Sequence, residues 1–235
     1  MKSLSTIILF LFFIFPLFSN PFKSDISLVV IDAGHGGKDP GAVSGDIEEK
    51  DIVLNVSKYL FDALKDNVNC VLTRDKDEYL SLQERCDFAN SQSFDVNGFP
   101  LFISIHVNAA SSNLASGFEI YIKDDQKRLA LLSSKTSNRL ISIYAPYNNT
   151  MVNSYINSVN SHLASLVSSS ISKTFPQYKN RGVKEGDLWV LNQTFMPSLL
   201  IEIGFITNED DREKLTNINW QKKMADAIAS AILNY

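Results

Sequence analysis

Apolar positions along the chain fall into short β-branched runs, separated by stretches in which they recur every three or four residues. The run Val29-Val30-Ile31 stops at Asp32-Ala33-Gly34-His35-Gly36-Gly37, so a buried strand over 27–32 is expected to deliver a histidine on a glycine-rich turn. After a polar loop through 38–45, Ile52, Val53, Val56, Leu60 and Leu64 mark one face of a helix opened by Asp46 or Glu48 and ending near Asp66. A strand follows at 70–73. Ser81 with Glu84 three residues on is a capping-box signature for a helix that turns Leu82, Cys86 and Ala89 inward.

The run Leu101–Ala109 repeats the first arrangement, an apolar strand with His106 at its polar end, and 117–122 reads as another strand. Residues 123–160 are rich in Ser and Asn, with two helical patterns around 145–149, and are expected as a helical insertion acting as a lid, a regulatory element or surface ornament. Leu163, Leu166, Val167 and Ile171 form a further helical stripe closed by Pro176. The run from Pro197 to Ile206 predicts a buried strand, Asn208 a cap for a short helix through Leu215, and 220–233 a closing helix with Met224, Ala227, Ile228 and Ile232 inward. Strands alternating with helical patterns predict βαβ units and a largely parallel sheet.

With 235 residues, 45% of them hydrophobic, the chain supports one sizeable core plus a tail, and a formal charge of −4 argues against a nucleic-acid partner. The tail is the N-terminus, where Lys2 precedes an apolar run from Ile7 to Phe18 that is short for a membrane span and is followed by Ser19. A signal peptide over 1–19 is expected, its boundary falling within 19–24, with the folded domain over 25–235. Export to the periplasm or to the cell wall outside the cell follows, with no stable membrane anchor after cleavage. Cys70 and Cys86 are expected as buried thiols rather than a disulfide.

Glu202 lies among Leu199, Leu200, Ile201 and Ile203, where a carboxylate is costly unless paired, neutralised or close to a metal. Parallel strands gather their carboxyl ends at one edge, so His35, His106 and Glu202 could meet there. Two imidazoles and a carboxylate form a catalytic zinc set with one open position. The carboxylate is sought near the start of the first helix, where Glu48, Glu49 and Asp51 are candidates, and Glu202 is then free to act as a base. A plainer reading pairs Glu202 with Arg85 or Arg181. Arg74 and Arg85 are expected to anchor loops through charge-assisted hydrogen bonds, and His162 to lie at the surface or core edge.

Taken together, the motifs Ile31-Asp32-Ala33-Gly34-His35-Gly36-Gly37-Lys38-Asp39-Pro40-Gly41, Glu49-Lys50-Asp51, Thr73-Arg74-Asp75, Ser104-Ile105-His106-Val107-Asn108-Ala109, Arg181-Gly182-Val183-Lys184 and Glu202-Ile203-Gly204-Phe205-Ile206-Thr207-Asn208 resemble, in order, the zinc-dependent N-acetylmuramoyl-L-alanine amidases, the family of the bacterial cell-separation amidases. The resemblance implies an α/β fold: a single twisted, mostly parallel sheet flanked by helices on both faces. It also implies Zn2+ held by His35, Glu49 and His106, with Glu49 favoured because Lys50-Asp51 follows it, and Glu202 as the catalytic acid/base. The implied activity is hydrolysis of the amide between N-acetylmuramic acid and L-alanine in peptidoglycan, in wall remodelling or daughter-cell separation, with an activator protein acting on 123–160 as a further implied partner. A zinc peptidase cutting the stem peptide and a non-catalytic wall-binding regulator of the same fold are the alternatives.

Overall fold

The structure, a computed structural model, describes residues 25–95, 98–127 and 135–235; the expected signal peptide over 1–19 lies outside them. In chain order the elements are β1 (Ile26–Ala33), the short hairpin β2 (Val43–Ser44) and β3 (Ile47–Glu48), α1 (Glu49–Leu64), β4 (Asn69–Leu72), α2 (Leu82–Ser91), β5 (Phe99–Asn108) and β6 (Phe118–Lys123). Then come α3 (Asn138–Tyr144), α4 (Asn149–Thr174), β7 (Asn180–Gly186), α5 (Trp189–Gln193), β8 (Ser198–Phe205), α6 (Glu209–Thr216) and α7 (Ile218–Leu233).

Six strands form one sheet in the order β4-β1-β5-β8-β6-β7, parallel throughout except where β6 meets β8. The chain leaves β1 toward β4 through α1 and crosses back past β1 to β5 through α2. Right-handed crossovers in opposite directions place these two helices on opposite faces. Helices α1, α7 and α4 form one layer, with α7 packed between the other two, while α2 and α5 pack together on the other face. The sheet is therefore buried on both sides, and Val29, Val30, Ile31, Ile103, Ile105 and Ile201 are fully buried, as near-continuous apolar runs require.

Local chemistry fixes the helix ends. Ser81 and Glu84 complete the capping box of α2, and Asn148, Asn208 and Asn217 side chains each accept a first-turn N–H of α4, α6 and α7. Helix α1 has no side-chain cap and carries Glu49 and Asp51 in its first turn, where the positive end of the helix dipole favours carboxylates.

Two expectations change. The helix expected from Leu163 is the second half of one continuous helix, α4, whose buried Val152, Ile156, Val159, Leu163, Val167 and Ile171 form a single stripe. The described part of 123–160 thus joins the core layer through α4 and does not stand apart from the domain as its own helix. It also stands at the amino end of the sheet: Asn160 Oδ1 accepts the N–H of Ser198 at the start of β8, and Tyr144 hydrogen bonds to the carbonyl of Phe195 just before it. The second change concerns Cys70, which is a free thiol as expected but only half-buried, whereas Cys86 is buried; desolvation pushes both thiols up to about 12.

Integration of α4 into the core makes Ile156→Ala as damaging as Leu163→Ala. Each should lower unfolding free energy by roughly 2–5 kcal/mol, read from urea denaturation; an undiminished midpoint for Ile156→Ala would show that the first half of α4 is not tied into the core.

Candidate functional site

The turn after β1 is held by charge. The Asp32 carboxylate, fully buried, accepts hydrogen bonds from Thr73 Oγ1 (2.6 Å), Ser104 Oγ (2.7 Å) and Arg85 Nη1 (2.8 Å). Arg85 also donates to the carbonyls of Ala33 and His35, each at 2.6 Å, and Arg74 donates to those of Ala33 (2.9 Å), Gly34 (2.7 Å) and Lys50 (2.9 Å). Both arginines therefore anchor loops, as expected. Burial would raise the Asp32 carboxyl, but the Arg85 charge and its three donors hold it below the usual carboxylate range.

This clamp keeps His35 at φ +57°, the left-handed region that a side chain seldom adopts. Two glycines make room around it. A Cβ on Gly34 would lie 2.4 Å from the His106 ring, and one on Gly41 would lie 2.5 Å from Glu49 Oε2 and 2.7 Å from the His35 ring.

His35, Glu49 and His106 come together at the carboxyl ends of β1 and β5, their ligand atoms within 4.8 Å of one another. Glu49 Oε1 lies 3.2 Å from His35 Nε2 and 3.1 Å from His106 Nδ1. Ligands about 2.0–2.1 Å from a tetrahedral zinc stand roughly 3.3 Å apart, so the donor set fits such an ion. The carboxylate is otherwise fixed by backbone: Val107 N–H donates to Oε1 and Ala42 N–H to Oε2, each at 2.8 Å. Burial raises the Glu49 carboxyl, yet hydrogen bonds and charge from His106 and His35 keep it well below its ordinary value. Of the other candidates, Glu48 pairs with Lys50, and Asp51 is exposed.

His35 Nδ1 lies 2.9 Å from Asp39 Oδ2, which sets the ring so that Nε2 faces Glu49. Burial would lower this imidazole's pKa, but Glu49 and Asp39 raise it.

Glu202 stands beside this cluster. In register it pairs with His106 on β5 and with Glu119 on β6. It touches neither arginine proposed for it: Arg85 is paired with Asp32, and Arg181 with Glu119. Its Oε2 is buried and has no hydrogen-bond partner in the described structure. Burial pushes its carboxyl up to about 7, opposed by His106 and assisted by the charges of Glu49 and Glu119.

Sequence reasoning passed over Glu119. It is buried and receives Arg181 Nε (2.7 Å), Lys184 Nζ (2.5 Å), Asn108 Nδ2 (2.8 Å) and Tyr121 OH (2.9 Å). Burial raises its carboxyl, but the two cations and the tyrosine lower it. Its signal was a lone acid between Phe118 and Ile120, the same signal that singled out Glu202. Asp39 was passed over too, hidden inside a loop motif. None of residues 123–160 lines the cavity beside His35 and His106 among the described residues, so the described part of that segment does not cover the site.

Comparison with known proteins places the chain among one family. A family model described as N-acetylmuramoyl-L-alanine amidase matches residues 29–234. A putative N-acetylmuramoyl-L-alanine amidase of Buchnera aphidicola is 31% identical, over 88% of this chain and 95% of its own. The uncharacterized protein YqiI of Bacillus subtilis is 39% identical over 88% and 84%. Among solved structures, the N-acetylmuramoyl-L-alanine amidase AmiC2 of Nostoc punctiforme superposes with a TM-score of 0.68 at 34% identity, covering 90% of this chain and 98% of that one.

Asp32→Asn should cost about 3–5 kcal/mol, because it leaves the buried Arg85 charge without its partner. Because the folded Asp32 pKa lies below its unfolded value near 3.9, its contribution is complete well above that pH and is lost as pH falls through the folded value. Denaturation curves should therefore show the gap between wild type and Asp32→Asn closing below roughly pH 4; a gap independent of pH would refute the clamp.

Proposed function

The chain belongs to the Amidase_3 family of N-acetylmuramoyl-L-alanine amidases, enzymes acting on peptidoglycan, and from that premise we propose a zinc-dependent hydrolysis in which His35, Glu49 and His106 hold the ion and Glu202 moves the proton. The bond cut is the amide between the lactyl group of N-acetylmuramic acid and L-alanine. The observation that carries the reading is the buried, unpartnered Glu202 Oε2 beside three converging metal donors. Such an atom is costly to desolvate unless it has work to do.

Zinc, when bound, lowers the pKa of a water molecule toward neutrality and polarises the carbonyl it faces. The protein residues divide the remaining tasks. Asp39 holds the His35 ring, and the N–H groups of Val107 and Ala42 hold the Glu49 carboxylate, so the donors are oriented before anything binds. Glu202 accepts a proton from the attacking water as the new C–O bond forms, and returns it to the alanine nitrogen as the C–N bond breaks. Burial raises the Glu202 carboxyl, so it takes up a proton more readily than an exposed glutamate would. Glu119, its negative charge already matched by Arg181 and Lys184, keeps the same strand edge without competing for the proton.

We also propose a role in wall remodelling or daughter-cell separation, on the family's action on peptidoglycan. We further propose export directed by residues 1–19; no helix among the described residues is long and apolar enough to cross a membrane.

Purified protein incubated with zinc and muropeptides should release stem peptide with a free L-alanyl amine and leave the sugar with an intact lactyl carboxylate. Mass spectrometry distinguishes this from cleavage within the stem peptide, and a zinc-loaded protein without turnover would point to a regulator. Glu202→Gln should lower kcat by about 10²–10⁴ with zinc content unchanged, whereas His106→Ala and Glu49→Ala should lose the metal itself. A Glu202→Gln protein that fails to retain zinc would overturn the division of roles. N-terminal sequencing of the exported protein should begin within residues 20–25.

A further inference from the structure

A cavity of about 220 Å³ opens beside His35 and His106, between Tyr79 and Leu80 ahead of α2 and Leu188 and Trp189 at the start of α5, with Leu200 at its floor. Tyr79, Leu82 and Trp189, all lining it, are 44%, 54% and 49% exposed, so exposed apolar surface is grouped around this cavity. This volume lies below the ~300–1,000 Å³ that holds a drug-sized ligand, so it takes one residue of a polymer rather than a chain.

The inference rests on the reading that the scissile amide lies at His35, Glu49 and His106. The two sides of that amide differ in chemistry. The acyl side carries the lactyl methyl, the N-acetyl methyl and the C–H face of a pyranose ring. The amine side runs from alanine into a peptide that ends in a carboxylate. The site is asymmetric in a matching way: on the β6–β7 side of Glu202 stand the part-exposed cations Arg181 and Lys184, and on the α2–α5 side stands the apolar cleft. Carboxylates favour the first and methyl groups the second. A sugar C–H face, slightly positive, also complements the negative face of an indole ring.

We propose that the α2–α5 cleft is the subsite for the N-acetylmuramic acid residue, with Trp189 as the platform on which its ring stacks. The stem peptide then leaves the metal on the side of Arg181 and Lys184. Trp189 acts on specificity, through recognition of the sugar, and takes no part in bond cleavage.

The test uses two substrates with the same amide, an N-acetylmuramoyl-L-alanyl peptide and the D-lactoyl-L-alanyl peptide lacking the sugar, with zinc-loaded wild type, Trp189→Leu and Trp189→Phe. Leucine keeps apolar area but has no ring face; phenylalanine keeps one. Trp189→Leu should raise KM for the muramoyl substrate about tenfold, leave its kcat and the lactoyl substrate little changed, and be largely rescued in Trp189→Phe. Equal losses on both substrates, or a loss confined to the sugarless one, would overturn the assignment.

Failure of the amidase reading is seen separately, as wild type turning over neither substrate. Fluorescence titration with free N-acetylmuramic acid then decides the subsite, since Trp220 is the second of the chain's two tryptophans and supplies a constant background. Quenching in wild type that disappears in Trp189→Phe supports the subsite, and unchanged wild-type emission at millimolar sugar removes it.

Discussion

The site depends first on a buried carboxylate that never touches the reaction. Asp32 sits at zero exposure near the carboxyl end of β1 and gathers Arg85 from α2, Ser104 from β5 and Thr73 from just beyond β4. Arg85 and Arg74 spread their remaining donors over the carbonyls of residues 33–35, so the turn carrying His35 is gripped by backbone and not by its side chain. That leaves the imidazole free for Asp39 and Glu49 while its backbone is held in a conformation costing about 1–3 kcal/mol. Two guanidinium groups against one carboxylate leave an excess of positive charge, which the captured carbonyl dipoles offset.

The second constraint is a row of polar side chains across β5, β8 and β6. His106, Glu202 and Glu119 lie side by side in register, and like carboxylates directly opposite each other are ordinarily destabilising. The conflict is resolved asymmetrically: Glu119 receives two cations, an amide and a phenol, and Glu202 none of them. One carboxyl is thereby lowered and its neighbour raised to about 7. Environments that push paired carboxyl groups apart suit them to separate tasks, a structural one for Glu119 and, in the proposed reaction, proton transfer for Glu202.

Features with a periodic or compositional signature were readable from the chain alone. The runs ending at His35 and His106 and the run enclosing Glu202 announced buried strands, and Ser81 with Glu84 announced the start of α2. Strand β7 was missed because Asn180–Gly186 lies at the sheet edge and alternates half-exposed polar residues instead of apolar ones. Helix α5 is five residues long, too short for a period to show. The split of α4 at residue 160 arose because Ser and Asn dominate its outward face, while one buried residue per turn suffices to tie it to the sheet. Distance in sequence hid the partners of Glu119 and the role of Asp39, since both follow from register and from the ring orientation of His35.

The glycines at 34 and 41 connect these constraints. Each lacks a side chain where an imidazole or the Glu49 carboxylate approaches too closely for a Cβ, so on that side His35, Glu49 and His106 pack against backbone. Backbone surfaces cannot rotate away as side chains can, and the N–H groups of Val107 and Ala42 lock the remaining freedom of the carboxylate. Donors already in place lose little conformational entropy when an ion arrives, which strengthens binding without adding a contact. The same rigidity fixes the direction from which Glu202 views the open side of the cluster, because His106 and Glu202 are neighbours in one ladder of hydrogen bonds. In the proposed reaction, a shift in the register of β5 against β8 would displace one metal donor, His106, and the acid/base, Glu202, together, while His35 and Glu49 stay with the turn after β1 and with α1.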